Sequence, residues 1–328
     1  MKQIYVTQLI EHLAEEMEET FYLKYIYENF TKETGTPYFF LKLQDKSGSI
    51  IGRIWDNNMN SDYVTFKGKV VKVYGEVLYD PMQKLEFIIS RMEIITEYNI
   101  SDYVTGLSPT ETQHYREALY KQINLVKHAN YKDLLYQTLD SIMPRLCEAP
   151  ASITNTGCFN GGLLVQIVSV TSIAIQLLRS QKIYAYHPDL KISYNEDLLI
   201  TGAVLFGIGI INLYSPFPEA EKIHEYSLVP KPLLSIQIIE ETVFKENLFL
   251  SVEEKNMLYH AIYCAFDKSL KPMNRESLIL QMAYSSYIQI CGLEAHLTEH
   301  QQERGAIYVP KLKNFLYMPK EEGGSADE

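Results

Sequence analysis

Residues 197–213 read DLLITGAVLFGIGIINL, and the sixteen residues after Asp197 carry no charge. Gly202, Gly207 and Gly209 interrupt the run. A membrane span takes about 20 predominantly apolar residues, so this stretch is too short and too glycine-broken to be one. It reads as a helix buried inside a globular helical domain. Each glycine in a helix interior costs about 1 kcal/mol against alanine. Three of them are expected only where another backbone packs very close, or where the chain keeps the shape of an older site.

Outward from this stretch the periodicity stays helical. Helices are expected over Glu111–Val126, Asn130–Cys147, Gly162–Gln181, Glu196–Leu213, Leu233–Asn247, Val252–Phe266 and Arg275–Cys291, with prolines in the loops between them. They form an all-α domain over 110–310. Residues 311–328 close on EEGGSADE and are expected to be a disordered tail. Upstream, 98–109 is a polar linker ending in Ser108-Pro109, a helix-start signal.

Before the linker the period is two. Strands are expected over Phe21–Phe30, Pro37–Gln44, Ser49–Trp55, Lys69–Tyr79 and Leu85–Ile95, with turn signals at Asp45-Lys-Ser-Gly48 and Asp80-Pro81. A short polar segment, Asn57–Tyr63, separates strands three and four. This arrangement points to a small Greek-key barrel of the OB type over residues 1–97. Residues 1–20 read as an acidic amphipathic helix, with Thr7 as N-cap and Leu9, Ile10, Leu13 and Met17 on one face. The fold class is therefore α+β and multidomain, a five-stranded barrel followed by an all-α domain.

Composition narrows the function. A net charge of −11 argues against nucleic-acid binding by bulk electrostatics, so any such binding needs a local patch. Cys147, Cys158, Cys264 and Cys291 are widely spaced, with no C-x-x-C pair, and read as reduced thiols. The acidic N-terminus has no apolar secretory core, and the default expectation is cytoplasmic, with no membrane attachment. Neither a P-loop nor a G-x-S-x-G is present.

Alternation supplies the patch. Tyr38, Phe40 and Lys42 fall on the outer face of strand two, Arg53 and Trp55 on that of strand three, and Lys72 and Tyr74 on that of strand four. Such surfaces stack bases on aromatics and meet phosphates with cations. The same aromatics would equally serve to cover a domain interface.

Two resemblances extend this reading. The string GTPYFFLKLQDKSGSIIGRIWD (35–56) resembles the OB-fold domain of YhaM-type 3′-to-5′ exoribonucleases, through Gly35, Pro37, Leu41, Leu43, Gln44, Asp45, Gly48, Ile50, Trp55 and Asp56. The 197–213 stretch resembles the central D-L-L-x-x-G-x-x-L-H-D-x-G-K helix of HD-superfamily metal phosphohydrolases. Asp197, Leu198, Leu199, Gly202, Leu205 and Gly209 match, while Phe206 and Gly207 replace the His-Asp pair. At the other ligand positions that the resemblance implies stand Thr156, Gly157, Gln166, Ser235, Ala265, Phe266, Tyr284 and Tyr287. His260 survives at one of them. His296 and His300 have i, i+4 spacing without an evident third ligand.

The resulting expectation is a non-catalytic, YhaM-like protein with no metal or other cofactor. It binds single-stranded RNA or DNA through the barrel, and its helical domain makes protein contacts with itself or an active relative. A divergent exoribonuclease with a rebuilt site and an oligomeric scaffold are the alternatives.

Overall fold

A computed structural model describes residues 2–31, 34–80, 84–153, 156–183, 194–216, 221–299, 305–309 and 314–318, the side chains of 295–299 and 318 excepted. Alternation in the first hundred residues yields β1 (Glu16–Phe30), β2 (Pro37–Asp45), β3 (Gly48–Trp55), β4 (Val70–Tyr79) and β5 (Leu85–Ile94). They close into a barrel in the order β1-β2-β3-β5-β4, antiparallel except for the β3–β5 pair. This is the OB-fold topology. Inward positions such as Phe21, Leu41, Leu43, Ile54, Val73, Phe87 and Ile89 are fully buried and form the barrel core.

The amphipathic helix expected over residues 1–20 does not form. Val6–His12 is a single 3-10 helix capped at Tyr5 rather than Thr7, and only Leu9 of the expected stripe is buried. Ala14 then turns with a positive φ of 59°. Residues 16–20 become strand, pairing Glu16 to Glu76 through Thr20 to Lys72. A helix of this length is marginal by itself, whereas β4 offers a row of backbone groups that closure of the barrel must satisfy. The segment between β3 and β4 is two short 3-10 turns, Asp56–Asn58 and Ser61–Phe66. Tyr63 there is buried, and its hydroxyl accepts from Met92 N at 3.2 Å.

Residues 98–109 are attached to both neighbours. Tyr103 is buried and donates its hydroxyl to Thr20 Oγ1 at 2.7 Å, and Gly106 makes an isolated parallel bridge with Asn160. Ser108 and Glu111 then form a reciprocal capping box that starts α1 (Pro109–Ile123).

The helical domain continues with α2 (Ala129–Glu148), α3 (Gly162–Ile183), α4 (Glu196–Leu205), α5 (Ile210–Leu213), α6 (Lys231–Lys245), α7 (Val252–Phe266) and α8 (Arg275–Glu299). The central helix is thus two helices with a turn over 206–209 between them. A Cβ on Gly209 would lie 2.3 Å from Ser235 N, so the backbone of α6 passes directly against it. On Gly202 or Gly207 the nearest atom would be 3.5 Å away, an ordinary contact. Close packing therefore accounts for one glycine of the three. Ser235 holds the break together: its hydroxyl donates to Phe206 O at 2.7 Å and accepts from Gly209 N at 3.0 Å. Those are the backbone groups that a broken helix leaves without partners.

Both α3 and 196–213 are long and apolar enough to cross a membrane by composition, yet 61% and 83% of their apolar windows are buried within the protein. They are its core. At the C-terminus β6 (Gly305–Val309) pairs antiparallel with β7 (Asn314–Met318). Residues 314–318, expected in a tail, are therefore strand, and 319–328 lie outside the described residues.

Candidate functional site

Pairing of β1, β2 and β3 sets side chains of the outer barrel face in three rows. Asn29, Tyr38 and Trp55 form the first, Tyr27, Phe40 and Arg53 the second, Tyr25, Lys42 and Ile51 the third. Tyr27 and Phe40 stack with centroids 5.1 Å apart and planes 25° from parallel. Tyr25 and Tyr27 are 46% and 50% exposed, large enough apolar surfaces for a base to cover. Lys42 sits between Tyr25 and Ile51 and forms no ion pair among the described residues. An aromatic grid with an unpaired ammonium in it is suited to flat, anionic, single-stranded ligands.

The seven sequence-stated residues are not equivalent in this surface. Phe40, Lys42 and Trp55 are half-buried members of the grid. Tyr38 points outward in register but is buried, its ring 5.2 Å from that of Trp55 and 5.3 Å from the Arg53 guanidinium. Arg53 is already engaged, donating to Glu86 Oε1 at 2.7 Å. Lys72 and Tyr74 lie on β4, which is adjacent to neither β2 nor β3. Lys72 pairs with Glu18 at 2.7 Å, while Tyr74 bonds Glu93 and lies under Arg91. These two form a separate, charge-satisfied patch. Conversely, Tyr25 and Tyr27 are grid members that the sequence reading passed over. The alternation Tyr25-Ile-Tyr27 was their available signal.

In the helical domain, three of the positions that the HD resemblance would assign to ligands meet. The rings of Phe206, Phe266 and Tyr284 lie 5.4, 5.1 and 5.3 Å apart by centroid in the three pairings. Phe206 is fully buried. Burial and the neighbouring Tyr214 push the Tyr284 phenol up to about 12. Gln166 borders the cluster, its Nε2 lying 3.7 Å from where a Cβ on Gly207 would be. That buried amide nitrogen has no hydrogen-bond partner among the described residues. Gly157 (φ 78°) stands apart, turning the chain ahead of α3 so that its carbonyl accepts from Ala151 N at 3.0 Å. Ala265 is buried in the helical core.

Two phenyl rings, a phenol and a primary amide do not suit a divalent cation, which takes carboxylate or imidazole donors. Among the described residues no group of three or more His, Cys, Asp or Glu could hold a metal ion. His260 is committed elsewhere, its Nε2 accepting from Met273 N at 2.9 Å and facing Cys264 Sγ at 3.5 Å. Asp197 accepts from the amides of Lys127 and His128, both at 3.0 Å, and so ties the start of α4 to that of α2. The side chains of His296 and His300 lie outside the described residues. The four cysteines are free thiols.

Barrel and helical domain together define an OB-fold protein with an appended helical domain built around a broken central helix. No family model matches the chain. Among curated proteins it is similar to the 3′-5′ exoribonuclease YhaM of Geobacillus sp. (strain WCH70), at 26% identity over 257 residues, 75% of this chain and 74% of that protein. The YhaM of Bacillus subtilis (strain 168) is 23% identical over 274 residues, 82% of each chain. Among solved structures, the second OB-fold domain of replication protein A from Methanococcus maripaludis superposes with a TM-score of 0.23 at 24% identity, over 29% of this chain and 97% of that one. Four curated YhaM 3′-5′ exoribonucleases are similar to this chain at 23–26% identity over 75–82% of its length.

Proposed function

We propose that this protein binds single-stranded nucleic acid on the outer face of β1, β2 and β3, and that its helical domain does not hydrolyse it. The aromatic grid of Tyr25, Tyr27, Phe40 and Trp55 around the unpaired Lys42 carries the first part. RNA is the favoured strand, because the relatives are named as exoribonucleases. The second part rests on the convergence of Phe206, Phe266 and Tyr284, where the HD resemblance would place metal ligands. A cytoplasmic site of action accords with an RNA ligand and free thiols.

Fluorescence anisotropy with labelled oligo-uridine, beside a nuclease assay in Mn²⁺ and Mg²⁺, tests both parts. Salt-sensitive binding without degradation is the expected result. Metal-dependent degradation that persists through further purification would establish the second reading, an exoribonuclease with a rebuilt site, which the named activity of the relatives favours. Absence of binding at low salt, with a change of oligomer in Trp55→Ala, would instead assign the grid to assembly.

A further inference from the structure

Away from the grid, one ammonium is held between two buried carboxylates of the barrel. Lys2 Nζ lies 3.1 Å from Asp45 Oδ2 and 3.9 Å from Glu19 Oε1, and donates to Thr20 O at 2.6 Å. The side chains of Lys2 and Asp45 are fully buried, and that of Glu19 nearly so. Three rings complete the cage, with centroids 4.0 Å (Phe21), 5.5 Å (Tyr5) and 5.8 Å (Tyr103) from the ammonium. Burial pulls the Lys2 pKa below the ordinary lysine range, and Asp45 and then Glu19 oppose that pull. The same two carboxylates hold the backbone around Lys2. Glu19 Oε2 accepts from Gln3 N at 3.0 Å and Ile4 N at 2.6 Å, and Asp45 Oδ2 from Val6 N at 2.8 Å. Among the described residues 2–7 pair with no strand, so side chains of the barrel are their polar attachment.

This segment also reaches the connection between the two domains. Tyr5 donates its hydroxyl to Asp102 Oδ1 at 3.0 Å, and Asp102 O accepts from Lys46 N at 3.0 Å, next to Asp45. Tyr103 closes the cage from the same side. Further along, Asn160 N donates to Thr105 O at 3.0 Å and Leu107 N to Asn160 O at 3.1 Å, just ahead of α3. We infer that residues 2–7 are a strap that locks 98–107 between barrel and helical domain, with the Lys2 ammonium as its bolt. Without the bolt two buried carboxylates lack a cation, which loosens the strap amides they hold. Through Tyr5 and Asp102 the loosening passes to 98–107, and the barrel and helical domain become free to turn against each other. The further tie between Lys67 and Glu221 is exposed at both ends, where an ion pair contributes little. This lock does not rest on the single-strand reading above.

Hydrogen exchange on the full chain reads the lock. Lys2→Met keeps the length of the side chain and removes its charge. It is expected to speed exchange over 2–7 and 98–107 by about ten-fold or more, with α6 and α7 unchanged. In Lys2→Ala, added n-propylammonium should restore slow exchange and n-propanol should not, because the cage selects the charge. Tyr5→Phe removes only the hydroxyl on Asp102, and should speed 98–107 while leaving 2–4 at the wild-type rate. Wild-type exchange over 98–107 in both Lys2→Met and Tyr5→Phe overturns the lock, whatever happens at 2–7. Equal restoration by n-propanol and n-propylammonium overturns the ammonium as its bolt. If Lys2→Met speeds exchange throughout the barrel, Tyr5→Phe decides alone, and an unchanged rate over 98–107 overturns the lock.

Discussion

Two aromatic clusters in this protein are put to opposite uses. On the barrel, Tyr25 and Tyr27 and their neighbours Phe40 and Trp55 stand two residues apart along paired strands, on the solvent side, with Lys42 among them. In the helical domain Phe206, Phe266 and Tyr284 come from the ends or middles of three different helices and close on one another, leaving Phe206 no exposure. Residue type is shared, and geometry separates them. A strand puts every second side chain outside whatever its polarity, so its aromatics remain surfaces. A helix surrounded by others has no outside, so its aromatics become filling. An aromatic residue is evidence for binding only once its neighbours are known.

The contrast breaks first at the helical centre. Phe206→His with Gly207→Asp should destabilise the fold by about 3 kcal/mol or more, because a large buried ring is lost and a carboxylate enters without a partner. Urea denaturation measures it, and an unchanged midpoint would mean that the centre is open and polar rather than filled.

Tyr284 gives the same centre a pH signature. Its folded pKa of about 12 lies above the unfolded value near 10, so its contribution is fully present below about pH 10. It is lost as pH rises toward 12, to an extent of roughly 2 kcal/mol. The wild-type stability curve should therefore fall more steeply over this window than that of Tyr284→Phe, and parallel curves would remove the phenol from the filled core.

On the barrel side, Arg53 separates structure from recognition. Arg53→Ala leaves Glu86, whose side chain is 6% exposed, without its cation, at a cost of about 1–3 kcal/mol. Melting temperature should drop more than affinity does. Equal loss of affinity in Arg53→Ala and Trp55→Ala would return Arg53 to the binding surface.

Trp55→Ala should weaken oligo-uridine roughly ten-fold, since one stacked base contributes about 1–3 kcal/mol, with little change in melting. Lys42→Ala should have the smallest effect, a modest loss of affinity and a salt slope lower by about 0.7. If Lys42→Ala leaves the slope unchanged, the grid holds its ligand by stacking alone.

Much of this architecture was legible before any coordinates. The five strands and the helical segments overlap the places periodicity gave them, apart from the longer β1 and the broken central helix, because each buries a face that repeats at its own period. The misreadings share one cause. Residues 16–20 have an acidic helical pattern, yet they extend β1 because β4 needed pairing. The unbroken apolar run at 197–213 hides a turn that Ser235, on another helix, stabilises. Tyr38 obeys the alternation and is nevertheless covered, and Lys72 obeys it on a strand facing elsewhere.

By itself the sequence determined that strands come first and helices follow, and that the barrel's outer face holds aromatics and cations. Those properties follow from local period and composition. Only the tertiary structure decided which outward residues share a face, which cations are already neutralised, and that Phe206, Phe266 and Tyr284, spread over 79 residues, close on one point. Register, ion pairing and convergence each depend on a partner distant in the chain, and a local pattern carries no record of that partner.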